Sequence, residues 1–133
     1  MAEASLLGMS GMGIAGDVAR ASKIGDPHKL AEYLRGFKEQ GVSPEGDWDI
    51  MVVTQKGIYM VWQDFSVSKM KRPYHASGAA SAPAMGALSV ASLLRTDPLK
   101  AARLAAQAAI DHHTAARGPV TALALPKRKK TTE

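Results

Sequence analysis

A chain of 133 residues has room for one domain, and its 46% hydrophobic and 22% charged residues are an ordinary globular balance that disfavours general disorder and fibrous scaffolds. The absence of cysteine excludes disulfides, thiol nucleophiles and Cys-based zinc or iron–sulfur sites, and it is compatible with a reducing compartment. A formal charge of +5 hints at an acidic partner, but Arg117, Lys127, Arg128, Lys129 and Lys130 supply much of it, so the body of the chain is nearer neutrality.

Ser5 to Gly16 passes from a short apolar, strand-like segment into a turn holding Gly8, Gly11, Gly13 and Gly16, too glycine-rich for a helix. Asp17 is placed to cap a helix over Val18 to Ile24, and Gly25, Asp26 and Pro27 break it or begin another. His28 to Gln40 sets Leu30, Ala31, Tyr33, Leu34 and Phe37 against Lys29, Glu32, Arg35, Lys38 and Glu39, the pattern of an amphipathic helix. Gly41 ends it.

The period then changes to two. Trp48 to Gln55 and Gly57 to Gln63 are rich in Ile, Val, Tyr, Trp and Met, which predicts a β-hairpin, with a third strand over Ser66 to Met70 or Tyr74 to Ala76. Small-residue helical sequence follows as far as Leu94, suited to close approach to a sheet. Asp97 and Pro98 announce an alanine-rich helix over Leu99 to Thr114, where propensity and periodicity agree. Gly118 and Pro119 stop it, and Val120 to Leu125 reads as an apolar final strand. This order predicts a layered α+β domain over residues 1–125, with two helices on one face of a largely antiparallel sheet, and a basic tail over 126–133.

The longest near-apolar stretch, Met85 to Leu94, is about half of the roughly 20 residues that a membrane helix needs. The first residues lack a basic region followed by an apolar run. The expectation is a cytoplasmic protein with no membrane partner.

Three motifs have simpler readings than the functional ones. Gly11, Gly13 and Gly16 match G-x-G-x-x-G, but a dinucleotide site needs a further strand ending in an acidic residue where an amphipathic helix is expected. Close packing explains these glycines better. His112 and His113 point about 100° apart on a helix and cannot readily grip one ion, so neither a metal nor a cofactor is implied. Lys127, Arg128, Lys129 and Lys130 could contact phosphates, yet no aromatic residue lies near them to stack a base, which disfavours nucleic acid and favours a solvated tail.

The run from Leu6 to Asp17, Leu-Leu-Gly-Met-Ser-Gly-Met-Gly-Ile-Ala-Gly-Asp, resembles the strand-to-helix passage of proteasome β-subunits and the bacterial HslV peptidase. Trp48 to Val53 followed by Gly57 to Val61 is similar to the family's central hairpin. Ala76-Ser77-Gly78-Ala79 stands where the family has a Gly-Ser-Gly-Gly turn into a helix. Asp97-Pro98 through Ile110, then Asp111-His112-His113-Thr114 and Gly118-Pro119-Val120, is similar to its closing helix, Asp-x-x-Ser motif and last strand. The resemblance covers nearly all of residues 5 to 125.

It implies the four-layer αββα sandwich of N-terminal nucleophile hydrolases, in which a free N-terminal threonine attacks the peptide carbonyl with its own amine as base. It also implies that Ser77 is the supporting hydroxyl and that the backbone around Gly78 and Ala79 helps bind an oxyanion. Asp111 and Thr114 would hold the active-site amine and the turn in register. The family's catalytic Thr, Asp and Lys have no match here: removal of Met1 would expose Ala2, and Ser5 and Ser10 lie in the wrong part of the fold.

The expectation is therefore an incomplete sandwich, a threonine-peptidase-like pseudoenzyme with only accessory residues. It would act as an assembly subunit or require a complementing N-terminal segment, because missing strands leave an open sheet edge and apolar face. A homo-oligomer or a complementing polypeptide is the expected partner, and the family resemblance also admits an ATPase. The alternative is a small noncatalytic binding module that uses the sheet edge or basic tail to engage protein or nucleic acid.

Overall fold

The computed structural model describes residues 5–10, 24–39 and 48–125. In chain order the elements are β1 (Ser5–Ser10), α1 (Pro27–Glu39), β2 (Asp49–Thr54), β3 (Gly57–Trp62), β4 (Val67–Lys69), α2 (Ser81–Leu93) and α3 (Pro98–His112). The strands form one antiparallel sheet in the order β1-β2-β3-β4. The fold is α+β with an open sheet. The glycine motif at Gly11, Gly13 and Gly16, the helix expected over 18–24 apart from Ile24, and the tail residues Lys127, Arg128, Lys129 and Lys130 lie outside the described residues.

α1 starts where its sequence supplies a cap: Asp26 Oδ1 accepts the backbone N–H groups of His28 at 2.8 Å and Lys29 at 3.1 Å. Those bonds satisfy donors that a helix N-terminus otherwise leaves open, and the Lys29 bond is the main reason that the Asp26 carboxyl sits below its ordinary pKa. From this start Leu30, Ala31 and Leu34 share one buried face and pack with Ile50, Val52, Val61 and Phe65.

β2 and β3 meet around the two-residue turn Gln55–Lys56, with Thr54 opposite Gly57. Thr54 Oγ1 accepts the Lys56 N–H at 3.1 Å, and Gly57 has φ +143°, a conformation that side chains disfavour. The register pairs Ile50 with Val61 and Val52 with Tyr59 on the α1 side, and Met51 with Met60 and Val53 with Ile58 on the other. A single hairpin thus supplies apolar groups to both faces, as a sheet covered on both sides requires.

Of the two positions predicted for the third strand, the sheet uses the earlier one. The β3–β4 turn closes through Phe65 N–H to the Trp62 carbonyl at 2.8 Å and Trp62 N–H to the Ser66 carbonyl at 3.0 Å. Phe65 adopts φ +67°, a strained choice for a bulky residue. Its ring is only 8% exposed, lies 6.0 Å from the Trp48 ring and has the Arg35 guanidinium 5.8 Å from its centroid. Burial and this stacking offset the backbone cost.

α2 and α3 form a helical hairpin on the sheet's other side. Asp97 caps α3 by accepting the Lys100 N–H at 3.2 Å, with Pro98 in the first turn, as the sequence predicts. The small residues bring the two helices against each other, whereas the expectation was a close approach to the sheet; a gap separates α2 and α3 from Met51, Val53 and Ile58.

The expected final strand is not formed. Val120–Leu125 has no strand structure, because the chain turns after α3, places Gly118 beside Ile110 and runs past the helical hairpin without pairing with the sheet. Among the described residues no helix is long and apolar enough to cross a membrane.

Candidate functional site

The gap between sheet and helical hairpin is a cavity of about 700 Å³, within the size range of ligand pockets. Its floor is the outer sheet face, Met51, Val53 and Ile58. One wall is the small-residue helical pair, with Ala84 and Leu88 from α2 and Ala101, Ala105 and Ala109 from α3. The segment Tyr74–Ser77 crosses it, and Val120–Leu123 forms the remaining wall. The predicted turn and the closing helix therefore converge on one cleft.

Ser77 lines this cleft half-buried, and its hydroxyl donates to Asp49 Oδ1 at 2.7 Å. A hydrogen bond to a carboxylate is stronger than a neutral one, so it ties the turn before α2 to the first residue of β2. Asp49 is a site residue that motif reading misses. The only signal in the sequence is an acidic residue at the head of an otherwise apolar strand, which a hairpin prediction absorbs without comment.

Gly78 follows at φ +110°, a conformation that favours glycine, and Ala79 is exposed. α2 then begins with Ala80 as its N-cap, with no side-chain hydrogen bond and no acidic residue in the first turn. The positive end of the helix dipole beside Ser77 is thus free of a carboxylate of its own.

Asp111 and Thr114 are not brought to Ser77's cavity. Both are exposed, neither lines the cleft, whose last contribution from α3 is Ala109, and Asp111 Oδ1 instead accepts the Gln107 side-chain N–H at 2.8 Å. The His pair does not converge either: His112 is exposed, and His113 Nδ1 accepts the Ala115 N–H at 3.1 Å. Among the described residues no group of three or more His, Asp or Glu side chains is placed to hold a metal ion.

The arrangement can bind an extended apolar group along its floor, and Ser77 is one of the hydroxyl-bearing residues that line it, with Tyr74, Ser81, Ser92, Thr96 and Thr121. The Ser77 proton is directed to a carboxylate. The bond fixes the hydroxyl's orientation and suits the pair to positioning the turn. No family model, no curated protein and no solved structure matches the chain.

Proposed function

We propose that these residues form the supporting half of a threonine-peptidase-like sandwich of the proteasome β/HslV type, a noncatalytic assembly subunit or one that needs a complementing segment. The observation that carries this reading is the shared cleft: Ala76 and Ser77 of the turn and residues of α3 border one cavity over the outer face of β2 and β3, the two places where the family resemblance puts its supporting hydroxyl and its closing helix. In this reading Ser77 is a positioning residue held by Asp49, and the start of α2, which has no side-chain cap, would offer backbone N–H groups after that of Ser81, which donates to the Gly78 carbonyl, to a developing oxyanion. A second layer of sheet would fill the gap that α2 and α3 leave above Met51, Val53 and Ile58.

Hydrolysis of fluorogenic peptides tests it. The chain alone is expected to be inactive, and co-expression with a Thr-led strand pair is expected to give turnover that Ser77→Ala reduces. Turnover by the chain alone contradicts the supporting role, and no gain on complementation removes the peptidase reading.

A further inference from the structure

We infer that the cavity between the sheet and the helical hairpin binds a small monocarboxylate with an alkyl tail, of the fatty-acid class, with its carboxylate held at Arg95. The inference goes beyond the assembly role proposed above and does not rest on it. It concerns the chain without a complementing segment, and such a segment and the ligand would compete for the same space.

The shape of the cavity follows from the two helices. Ser81, Ala84, Leu88 and Ser92 border it at spacings of three, four and four, which keeps one face of α2 turned inward over roughly 17 Å. Its volume of about 700 Å³ lies well within the range of small-ligand pockets. The sequence supplies the cause, because α3 contributes Ala101, Ala102, Ala105, Ala106 and Ala109 to the wall, side chains too short to fill the space above Met51, Val53 and Ile58.

Charge selects the occupant. Among the described residues that line the cavity there is no Asp, Glu or Lys, and Arg95 is the one permanent charge. It stands just beyond the C-terminal end of α2 with two hydroxyl-bearing residues that also line the cavity, Ser92 and Thr96. The helix end does not need the guanidinium as a cap, because the carbonyls of Val90, Ala91 and Ser92 already accept the backbone N–H groups of Leu94, Thr96 and Arg95. Among the described residues, neither this guanidinium nor the two hydroxyls have a side-chain partner. Asp97, the nearest acidic residue in sequence, caps α3 through the Lys100 N–H and does not line the cavity. Asp49 is held at the other end of α2, against Ser77.

Arg95 also adopts φ +51°, the left-handed conformation that glycine usually takes after a helix, so an arginine is kept there at a backbone cost. Being exposed, it marks the mouth of the cavity, where an anionic head remains in contact with water. A carboxylate at this place accepts charge-assisted hydrogen bonds, and its alkyl tail runs inward between Met51, Val53 and Ile58 on one side and Ala84, Leu88 and Ala105 on the other, each methylene leaving water. A peptide fits less well. The backbones of β2 and β3 are committed to the sheet and those of α2 and α3 to their helices, so its N–H and C=O groups would find partners along the Val120–Leu123 wall at most. A hydrocarbon chain needs none.

Calorimetric titration of the full chain with decanoate, kept below its micelle concentration, tests the inference, with decanol and decyltrimethylammonium as neutral and cationic amphiphiles of the same tail. Saturable one-to-one binding of decanoate is expected, about tenfold tighter than that of decanol and tighter still than that of the cation. Arg95→Gln is expected to lower decanoate affinity about tenfold and to erase the preference over decanol, with circular dichroism unchanged because the residue is exposed. Ala101→Phe narrows the cavity from α3 and is expected to weaken decanoate and decanol alike. The inference is overturned by the absence of saturable decanoate binding, by equal affinity for the cationic amphiphile, or by an Arg95→Gln variant that binds decanoate as the wild type does. None of these results depends on peptide hydrolysis, so the inference and the peptidase reading can fail separately.

Discussion

The two sides of the sheet are built to different standards. Against α1, Leu30, Leu34, Ile50, Val52 and Val61 are at most 2% exposed and interlock with Phe65. Across the other face, the buried residues of the helical hairpin are only Ala84, Ala91 and Ala105, while Val90, Leu93, Leu94 and Leu104 stand from 48% to 81% exposed. The first side has large side chains removed from water, the dominant source of folding free energy. The second side buries Met51 and Met60 of the sheet, but its helices add only alanines to the buried set and pack mainly on each other. A domain can be tightly packed on one face of its sheet and open on the other.

The strongest way to break this contrast is to remove a large side chain from the finished side. Leu34→Ala is expected to cost about 3 kcal/mol, read as a lower denaturation midpoint at unchanged slope. A loss below about 1 kcal/mol would mean that the α1 side is no better packed than the other. Next, Ser77→Ala removes the hydrogen bond from the turn to the Asp49 carboxylate, and it is expected to cost about 2 kcal/mol. Asp49→Ala should give a similar loss, and the double variant should lose much less than the sum of the two; additive losses would show that the pair is not coupled.

Removing either helix cap gives a smaller effect. Asp26→Ala and Asp97→Ala are each expected to cost about 1 kcal/mol. Because the Asp26 carboxyl is held below its ordinary value, chiefly by the Lys29 backbone N–H, its contribution is present above the unfolded pKa of about 3.9 and fades as pH falls through the lowered folded value. Asp64 behaves in the same direction, through the Ser66 hydroxyl and N–H. The stability difference between wild type and Asp26→Ala should therefore shrink on acidification below about pH 4; a difference that grows there would contradict the capping assignment. At the low end, Leu93→Ser on the unfinished side is expected to stay within about 0.5 kcal/mol in dilute solution. Hydrogen exchange should sharpen the same comparison, with amides of β2 and β3 outlasting those of α2 and α3.

Much of the local structure was legible because its causes are local. The Asp26 and Asp97 caps, the proline opening α3 and the period-two alternation of Ile50 to Thr54 against Gly57 to Trp62 fix elements by short-range hydrogen bonding and side-chain spacing. The site was legible only in part. Ser77 was visible as a turn hydroxyl, but Asp49 was not, because a hydrogen bond spanning 28 positions leaves no mark on either segment's pattern. Phe65 at positive φ was equally invisible, since propensity opposes it and only burial against Trp48 and Arg35 favours it.

By itself the sequence determined which segments are helix and which form the central hairpin, since backbone preference and hydrophobic period act over a few residues. Tertiary structure alone decided three other things: that α1 takes one face of the sheet while α2 and α3 pack on each other and leave a cavity over the opposite face, that Asp49 holds Ser77, and that Val120–Leu125 pairs with no strand among the described residues. The last case shows the physical reason most directly. Strand propensity makes a segment ready to pair, but a ladder needs a second backbone within hydrogen-bonding reach, and the position of that backbone is a property of the whole fold.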